Sequence, residues 1–171
     1  METQELKEGL EKAKRSEERR IGLTMAIIAV LLAVATMLGH RAHTEEVLIQ
    51  TKANDQWAYY QAKNVRSHMY EADSQLAGII ASGQKLAEDF HSRAGVQKND
   101  AEEIQHKAQE LEAESNAASR KANQFDTAEI FLEIAIVLCS IALLTDLRNF
   151  WLFSFVFMVI GVVFMARGLI S

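Results

Sequence analysis

The stretch that decides the fold is residues 21–39, IGLTMAIIAVLLAVATMLG, which contains no charged side chain. As a helix rising about 1.5 Å per residue, it extends about 28 Å, close to the hydrocarbon thickness of a bilayer. A cleaved signal peptide is the competing interpretation, but residues 1–20 carry six acidic as well as six basic side chains. A chain of 171 residues is also too short to enclose several such helices in a soluble core. We therefore predict a retained transmembrane helix at residues 21–39.

Two more apolar runs lie near the carboxyl end of the chain. Residues 128–145 are apolar apart from two glutamates, and residues 150–167 are uncharged up to Arg167. Only a tight turn fits between these runs, which predicts an antiparallel pair of transmembrane helices. Seven basic residues flank the spans on the amino-terminal side and five on the opposite side. This excess favours a cytoplasmic amino terminus.

Composition excludes several classes of protein. The chain has no proline, one cysteine and a net charge of -5. A turn-rich β fold, a disulfide framework and a zinc site of paired cysteines are therefore not expected, and the acidic balance argues against nucleic-acid binding. The sequence has neither a glycine-rich phosphate loop nor a recognisable nucleophile motif. We predict a protein that is not an enzyme and has no cofactor or bound metal.

The polar middle of the chain, residues 40–127, has apolar positions that recur every three or four residues. A repeat of 3.5 residues is typical of helices that wrap around one another, so we predict a coiled-coil-like antiparallel hairpin outside the membrane, preceded by a charged helix at residues 1–20. The first apolar stripe consists of Ala58, Ala62, Val65, Met69, Ala72, Leu76, Ile79, Gly83, Leu86 and Phe90. The second consists of Ala101, Ile104, Ala108, Leu111, Ser115, Ala118, Ala122 and Phe125.

The pattern places the hairpin turn at residues 93–99, where Gly95 and polar residues interrupt the stripes and Asn99 or Asp100 suits a helix cap. The second stripe continues into the apolar run, which predicts one helix over about residues 100–145. The two arms are then unequal in length. Two explanations stay open: the longer arm bends or folds back near Gly78 and Gly83, or residues 40–56 run along the membrane surface.

One group of polar residues is a candidate for chemistry at the membrane boundary. Glu129 and Glu133 share a helix face inside the second apolar run, where a carboxylate is costly unless paired or protonated. His40, Arg41 and His43 follow the first span on the same side of the bilayer. The sharper hypothesis is a cation or proton site built from the two glutamates and the two histidines. The simpler one, which we favour, is an ion pair between Arg41 and a glutamate that fixes the register of the helices.

Other positions indicate contacts between helices or copies of the chain. Small residues on the first span favour close helix contact, and alanines in the stripes favour close backbone approach. The three aromatic residues near the start of the hairpin cannot all face one seam, so some of them contact lipid, a partner chain or another helix. The small residues are Gly22, Ala26, Ala29, Ala33, Ala62 and Ala108, and the aromatic ones are Trp57, Tyr59 and Tyr60.

Two segments carry a resemblance to a known family. Residues 40–45, HRAHTE, and residues 54–63, NDQWAYYQAK, resemble an uncharacterised bacterial membrane-protein family that is known as a domain of unknown function. The resemblance extends over nearly the whole chain. It implies a multi-pass protein of the bacterial inner membrane and contributes no activity, substrate or site.

Together these observations predict an all-α integral membrane protein with three transmembrane helices and a protruding helical hairpin. The expected function is that of a homo-oligomeric scaffold or accessory subunit whose partners are the lipid bilayer and other copies. The main alternative is an oligomeric ion or proton channel or transporter that uses the Glu/His cluster. A weaker alternative is an accessory subunit of a larger membrane complex.

Overall fold

Three helices account for almost all of the described chain. The computed structural model describes residues 2–80, 82–145 and 147–170, and within them the side chains of residues 9, 11, 12 and 14 onward. The helices are α1 (Glu2–Ile79), α2 (Gln84–Thr145) and α3 (Arg148–Ile170), and the described residues contain no strand. The prediction of an all-α fold is confirmed. With no proline in the chain, nothing removes a backbone donor from the helix interiors.

The chain divides into two compact units. The three-helix unit comprises Met1–His43 and Ser119–Ser171, and the hairpin unit comprises Thr44–Ala118. Both α1 and α2 contribute to each unit. Each of the three helices contains a segment that is long and apolar enough to cross a membrane.

The three-helix unit is held together by small and aliphatic side chains. A Cβ atom added to Gly161 would lie 2.9 Å from Leu132 Cγ, so the missing side chain allows α3 to approach α2 closely. Trp151 Nε1 donates a hydrogen bond of 3.3 Å to Thr24 Oγ1, which connects α3 to α1. The buried core residues are Ile28, Ala35, Ala128, Leu132, Ala135 and Cys139.

The hairpin unit buries mainly alanine and serine between its two arms. Ser67 Oγ donates to the carbonyl oxygen of Ala94 at 3.0 Å, and Ser74 Oγ donates to that of Ala87 at 2.7 Å. These bonds satisfy polar groups that the close approach of the arms removes from water. They also tie the two arms together at fixed positions.

The chain reverses between the end of α1 at Ile79 and the start of α2 at Gln84, and not at residues 93–99, so the predicted turn is wrong. Gly83 N–H donates to the Ile80 carbonyl at 2.8 Å, and any Cβ at Gly83 would collide with the carbonyl oxygen of Ala77. Gly95 lies inside the continuous helix α2. The arms, residues 44–79 and 84–118, are therefore nearly equal in length, and the predicted mismatch disappears. The single helix predicted over residues 100–145 is confirmed but begins earlier, at Gln84.

The two predicted stripes behave differently. On α2 the members of the second stripe are buried or half-buried, as a packing seam requires. On α1 the members of the first stripe from Ala58 to Ile79 are all exposed. The arm of α1 packs instead through another set of positions, which are Ala53, Tyr60, Lys63, Ser67, Tyr70, Ser74 and Ala77.

The carboxyl-terminal helix packs antiparallel against α2. Cys139 Sγ lies 3.2 Å from Ser154 Oγ, and Gly168 lies against the ring of Phe125. Asp146, which belongs to the predicted tight turn between the two helices, lies outside the described residues.

Candidate functional site

A line of polar contacts joins α1 and α2 within the three-helix unit, and it begins with His43. His43 Nε2 lies 2.9 Å from Asp126 Oδ2 and 3.1 Å from Asp126 Oδ1. Both side chains are 44% exposed, so water reaches the pair. The sequence analysis selected His43 but missed Asp126, because this carboxylate lies just before the apolar run and looks like an ordinary surface residue.

The next polar contact along the two helices is a hydrogen bond to Glu129. Thr36 Oγ1 donates to Glu129 Oε1 at 2.8 Å, and both side chains are half-buried. The sequence offered one indication of this partner: Thr36 is a polar side chain within an uncharged run. Arg41 is exposed, and within the described residues neither Glu129 nor Glu133 forms an ion pair with it.

Glu133, another predicted member of the cluster, does not join these contacts. Glu133 is exposed on the outer surface of α2, and among the described residues it has no hydrogen-bond or ion-pair partner. His40 is exposed as well. The structure thus brings Glu129 to Thr36 and His43 to Asp126, and leaves Glu133 facing outward. In the described part of the chain, no group of three or more His, Cys, Asp or Glu side chains could hold a metal ion.

The predicted aromatic residues occupy different environments in the hairpin unit. Trp57 and Tyr60 are half-buried and meet edge to face, with 5.6 Å between ring centroids. Tyr59 is exposed and lies beneath Lys63, whose Nζ is 5.7 Å from the ring centroid.

Lys63 forms the main ion pair between the arms of the hairpin. Its Nζ donates to Asp100 Oδ2 at 2.8 Å. This hydrogen bond raises the pKa of Lys63 above its ordinary value, and the nearby negative charge of Asp100 adds to the effect.

The predicted packing positions also separate. In the first span, Gly22 is half-buried, whereas Ala26, Ala29 and Ala33 are exposed. In the hairpin unit, Ala108 is fully buried between the arms and Ala62 is exposed.

The exposed stripe of α1 in the hairpin unit is not covered by the other arm, and we call it the outer seam. Its members are Ala58, Ala62, Val65, Met69, Ala72, Leu76 and Ile79. Val65, Met69, Leu76 and Ile79 are between 57% and 82% exposed. From Ala62 onward, each seam position follows a packed position by two residues, which rotates it by about 200° around a helix of 3.6 residues per turn. The outer seam therefore faces away from α2, on nearly the opposite side of α1.

Comparison with known proteins gives one match. The model of a protein family described as a domain of unknown function (DUF4337) matches residues 17–171. Neither the curated proteins nor the solved structures yield a match. The predicted resemblance to a family without known function is confirmed.

Proposed function

The chain belongs to the DUF4337 family, and from that premise we propose that it is a non-enzymatic membrane protein whose copies assemble into a homo-oligomeric scaffold. Three helices anchor each copy in the bilayer. The hairpin unit then links copies to one another through the outer seam.

Membrane anchoring is supported by apolar surface that the protein itself does not cover. In the most apolar 18-residue windows of α1, α2 and α3, only 11%, 28% and 17% of the residues are buried. Exposing so large an apolar surface to water is unfavourable in free energy. A bilayer covers it without further protein contacts.

Self-association is supported by the outer seam, which is the observation that carries the proposal. The seam lies in the charged part of the chain, where lipid cannot cover it. Fully burying one aliphatic side chain contributes roughly 1.5–3 kcal/mol. Four large ones that are more than half exposed on each copy therefore contribute an amount comparable to the ~4–15 kcal/mol that association costs.

The chemistry of the seam favours a second copy of this chain as the partner. In a parallel, in-register pairing of two α1 arms, each seam residue lies against its own equivalent. Alanine then meets alanine at positions 58, 62 and 72, and the larger side chains meet one another at the other seam positions. In a parallel coiled coil, a residue that directly precedes a seam position lies close to one residue of the other helix. That residue is the one whose number is five higher. This places His68 beside Asp73 of the second copy, a pair of complementary charge when the histidine is protonated.

An ion or proton channel is the second candidate, and one observation favours it. Glu133 is a carboxyl group on the outer surface of an apolar segment, and ionisable residues in such segments often mark ion or proton paths. In a channel, Glu133→Gln lowers flux through proteoliposomes while the oligomer stays intact. In a scaffold, neither protein conducts ions.

The experiment is native mass measurement of the full-length protein in mild detergent, with two matched variants. Val65 in the outer seam and Val96 on α2 are 57% and 55% exposed, so Val65→Glu and Val96→Glu introduce the same charge at equal exposure. We expect a homo-oligomer that dissociates with Val65→Glu and persists with Val96→Glu. A monomeric wild-type protein, or equal behaviour of the two variants, contradicts the proposal. A complex with a different protein at a fixed ratio supports the accessory-subunit alternative instead.

A further inference from the structure

Glu133 lies much deeper in the apolar segment than its distance from the start of the run suggests. Along the antiparallel helices α1 and α2, Gly39 meets Phe125, Thr36 meets Glu129 and Met25 meets Ser140. Interpolation between these contacts sets Glu133 level with residue 32 of α1.

The contacts with α3 give the same depth. Gly161 meets Leu132, and Ser154 meets Cys139, so Glu133 is level with residue 160. The midpoints of the uncharged runs are residues 30 and 158. At a rise of about 1.5 Å per residue, Glu133 lies about 3 Å from the middle of the bilayer that these runs would span.

At that depth Glu133 is also the polar side chain that faces outward. Among the described residues, the other polar side chains of the apolar runs have hydrogen-bond partners inside the unit: Thr24, Thr36, Glu129, Cys139, Ser140, Thr145, Trp151 and Ser154. Ile130 and Val137, each one turn from Glu133 on the same face, are both 56% exposed. A monomer would therefore present this carboxyl group directly to lipid.

The chemistry of a carboxyl group in hydrocarbon limits what can cover it. An ionised carboxylate without a partner is strongly disfavoured there. The protonated form carries one donor and an acceptor, so two such groups satisfy each other with two hydrogen bonds. A second copy inserted in the same direction brings its own Glu133 to the same depth.

We propose that the protonated Glu133 carboxyl groups of two copies hydrogen-bond to each other inside the bilayer, with Ile130 and Val137 packed around them. This contact rests on the proposed self-association and adds an intramembrane interface to the outer seam. The pair of Glu133 carboxyl groups would then align the transmembrane helices of the two copies.

The test is oxidative cross-linking in native membranes, with Cys139→Ala as the background. The reporter Val137→Cys lies one turn from Glu133, and the control reporter Val159→Cys lies on α3 at similar depth with 55% exposure. We expect Val137→Cys to cross-link at least tenfold faster than Val159→Cys. Glu133→Leu should abolish this difference, whereas Glu133→Gln should keep it, because an amide also carries donors and an acceptor.

Two results overturn the inference: equal rates for the two reporters, or an undiminished difference with Glu133→Leu, which would indicate packing alone. Native mass measurement of the same preparations separates this failure from that of the proposed function. If the oligomer persists but the cross-linking rate does not depend on Glu133, only the proposed intramembrane pair is wrong. If the wild-type protein is monomeric, the proposed function fails as well.

Discussion

Replacing Ala108 with leucine tests the packing of the hairpin most directly. Ala108 is 0% exposed between the arms. On one side of it Ser115 Oγ donates to Gln50 Oε1 at 2.9 Å, and on the other Lys63 Nζ donates to Asp100 Oδ2 at 2.8 Å. Because these bonds hold the arms together on both sides, the arms cannot separate to admit a larger side chain without losing them.

The size of the effect follows from the absence of free space at this position. Overpacking of a close-packed site costs about 1–3 kcal/mol, and about 1.4 kcal/mol corresponds to a factor of ten. The equilibrium constant for local opening of the hairpin should therefore rise roughly 5- to 150-fold. Helix propensity contributes little, since leucine and alanine differ only slightly. The same substitution at Ala113, which is exposed on the same helix, should change stability by less than about 0.5 kcal/mol.

The assay is backbone amide hydrogen exchange of the full-length protein, followed by mass spectrometry of peptides from residues 44–118. Exchange should accelerate across both arms with Ala108→Leu and stay at the wild-type rate with Ala113→Leu. Unchanged exchange in the first variant, or equal acceleration in both, would refute the assignment of Ala108 to a tightly packed interface.

Three further predictions concern single contacts. Gly161→Ala should lower the melting temperature in detergent, since the added Cβ would lie 2.9 Å from Leu132 Cγ. Gly22→Ala is the control: its added Cβ would meet nothing within 4 Å, so the melting temperature should stay the same or rise. Thr36→Val should destabilise the three-helix unit by ~1–3 kcal/mol in chemical unfolding, because it leaves the Glu129 carboxyl group without its hydrogen-bond donor. Adding Glu129→Leu should recover most of this loss. If it does not, the lost hydrogen bond is not the cause of the destabilisation. The raised pKa of Lys63 implies that its contribution to stability is complete below the ordinary lysine pKa and is lost as pH rises through the higher folded value. Thermal unfolding between pH 8 and about 12 should therefore show a loss that Lys63→Met removes.

The helical class was predictable from sequence because its causes are local. The absence of proline and the presence of three long apolar runs favour helices whatever the neighbouring residues are. The turn was missed because Gly95 and its polar neighbours resemble a helix break. A glycine inside a helix, however, lowers helix stability by only about 1 kcal/mol. The packing of its neighbour Ala94 against the other arm offsets this loss. Gly78 and Gly83 were predicted only as one alternative for a bend or fold-back, and the folded backbone shows the reason for choosing it: any side chain at Gly83 would collide with the carbonyl oxygen of Ala77.

The choice of packing face on α1 was missed for a different reason. A 3.5-residue period shows that a helix has a seam, but it does not show which partner fills it. The face that packs on α2 contains Ser67 and Lys63, whose polar groups are satisfied by Ala94 and Asp100. It therefore looks less apolar in sequence than the outer seam. The same limit applies to the three-helix unit, where Asp126 and Thr36 could be identified as partners only once the helices were aligned.

Both units share one inversion of the usual soluble pattern: small or hydrogen-bonded residues are buried, and many large aliphatic residues face outward. In the three-helix unit the outward residues lie in the three apolar runs, of which only that of α2 contains charged side chains in its interior, so the proposed bilayer would cover most of this surface. The outer seam lies in no such run, since the neighbouring positions of the hairpin unit carry charges such as Arg66 and Asp73. An apolar seam flanked by charge and repeating every 3.5 residues is typical of a surface that packs against another helix. The second arm of the hairpin packs on the opposite side of α1, so we propose a helix of another copy as the partner, and dissociation by Val65→Glu but not by Val96→Glu is the result that this proposal predicts.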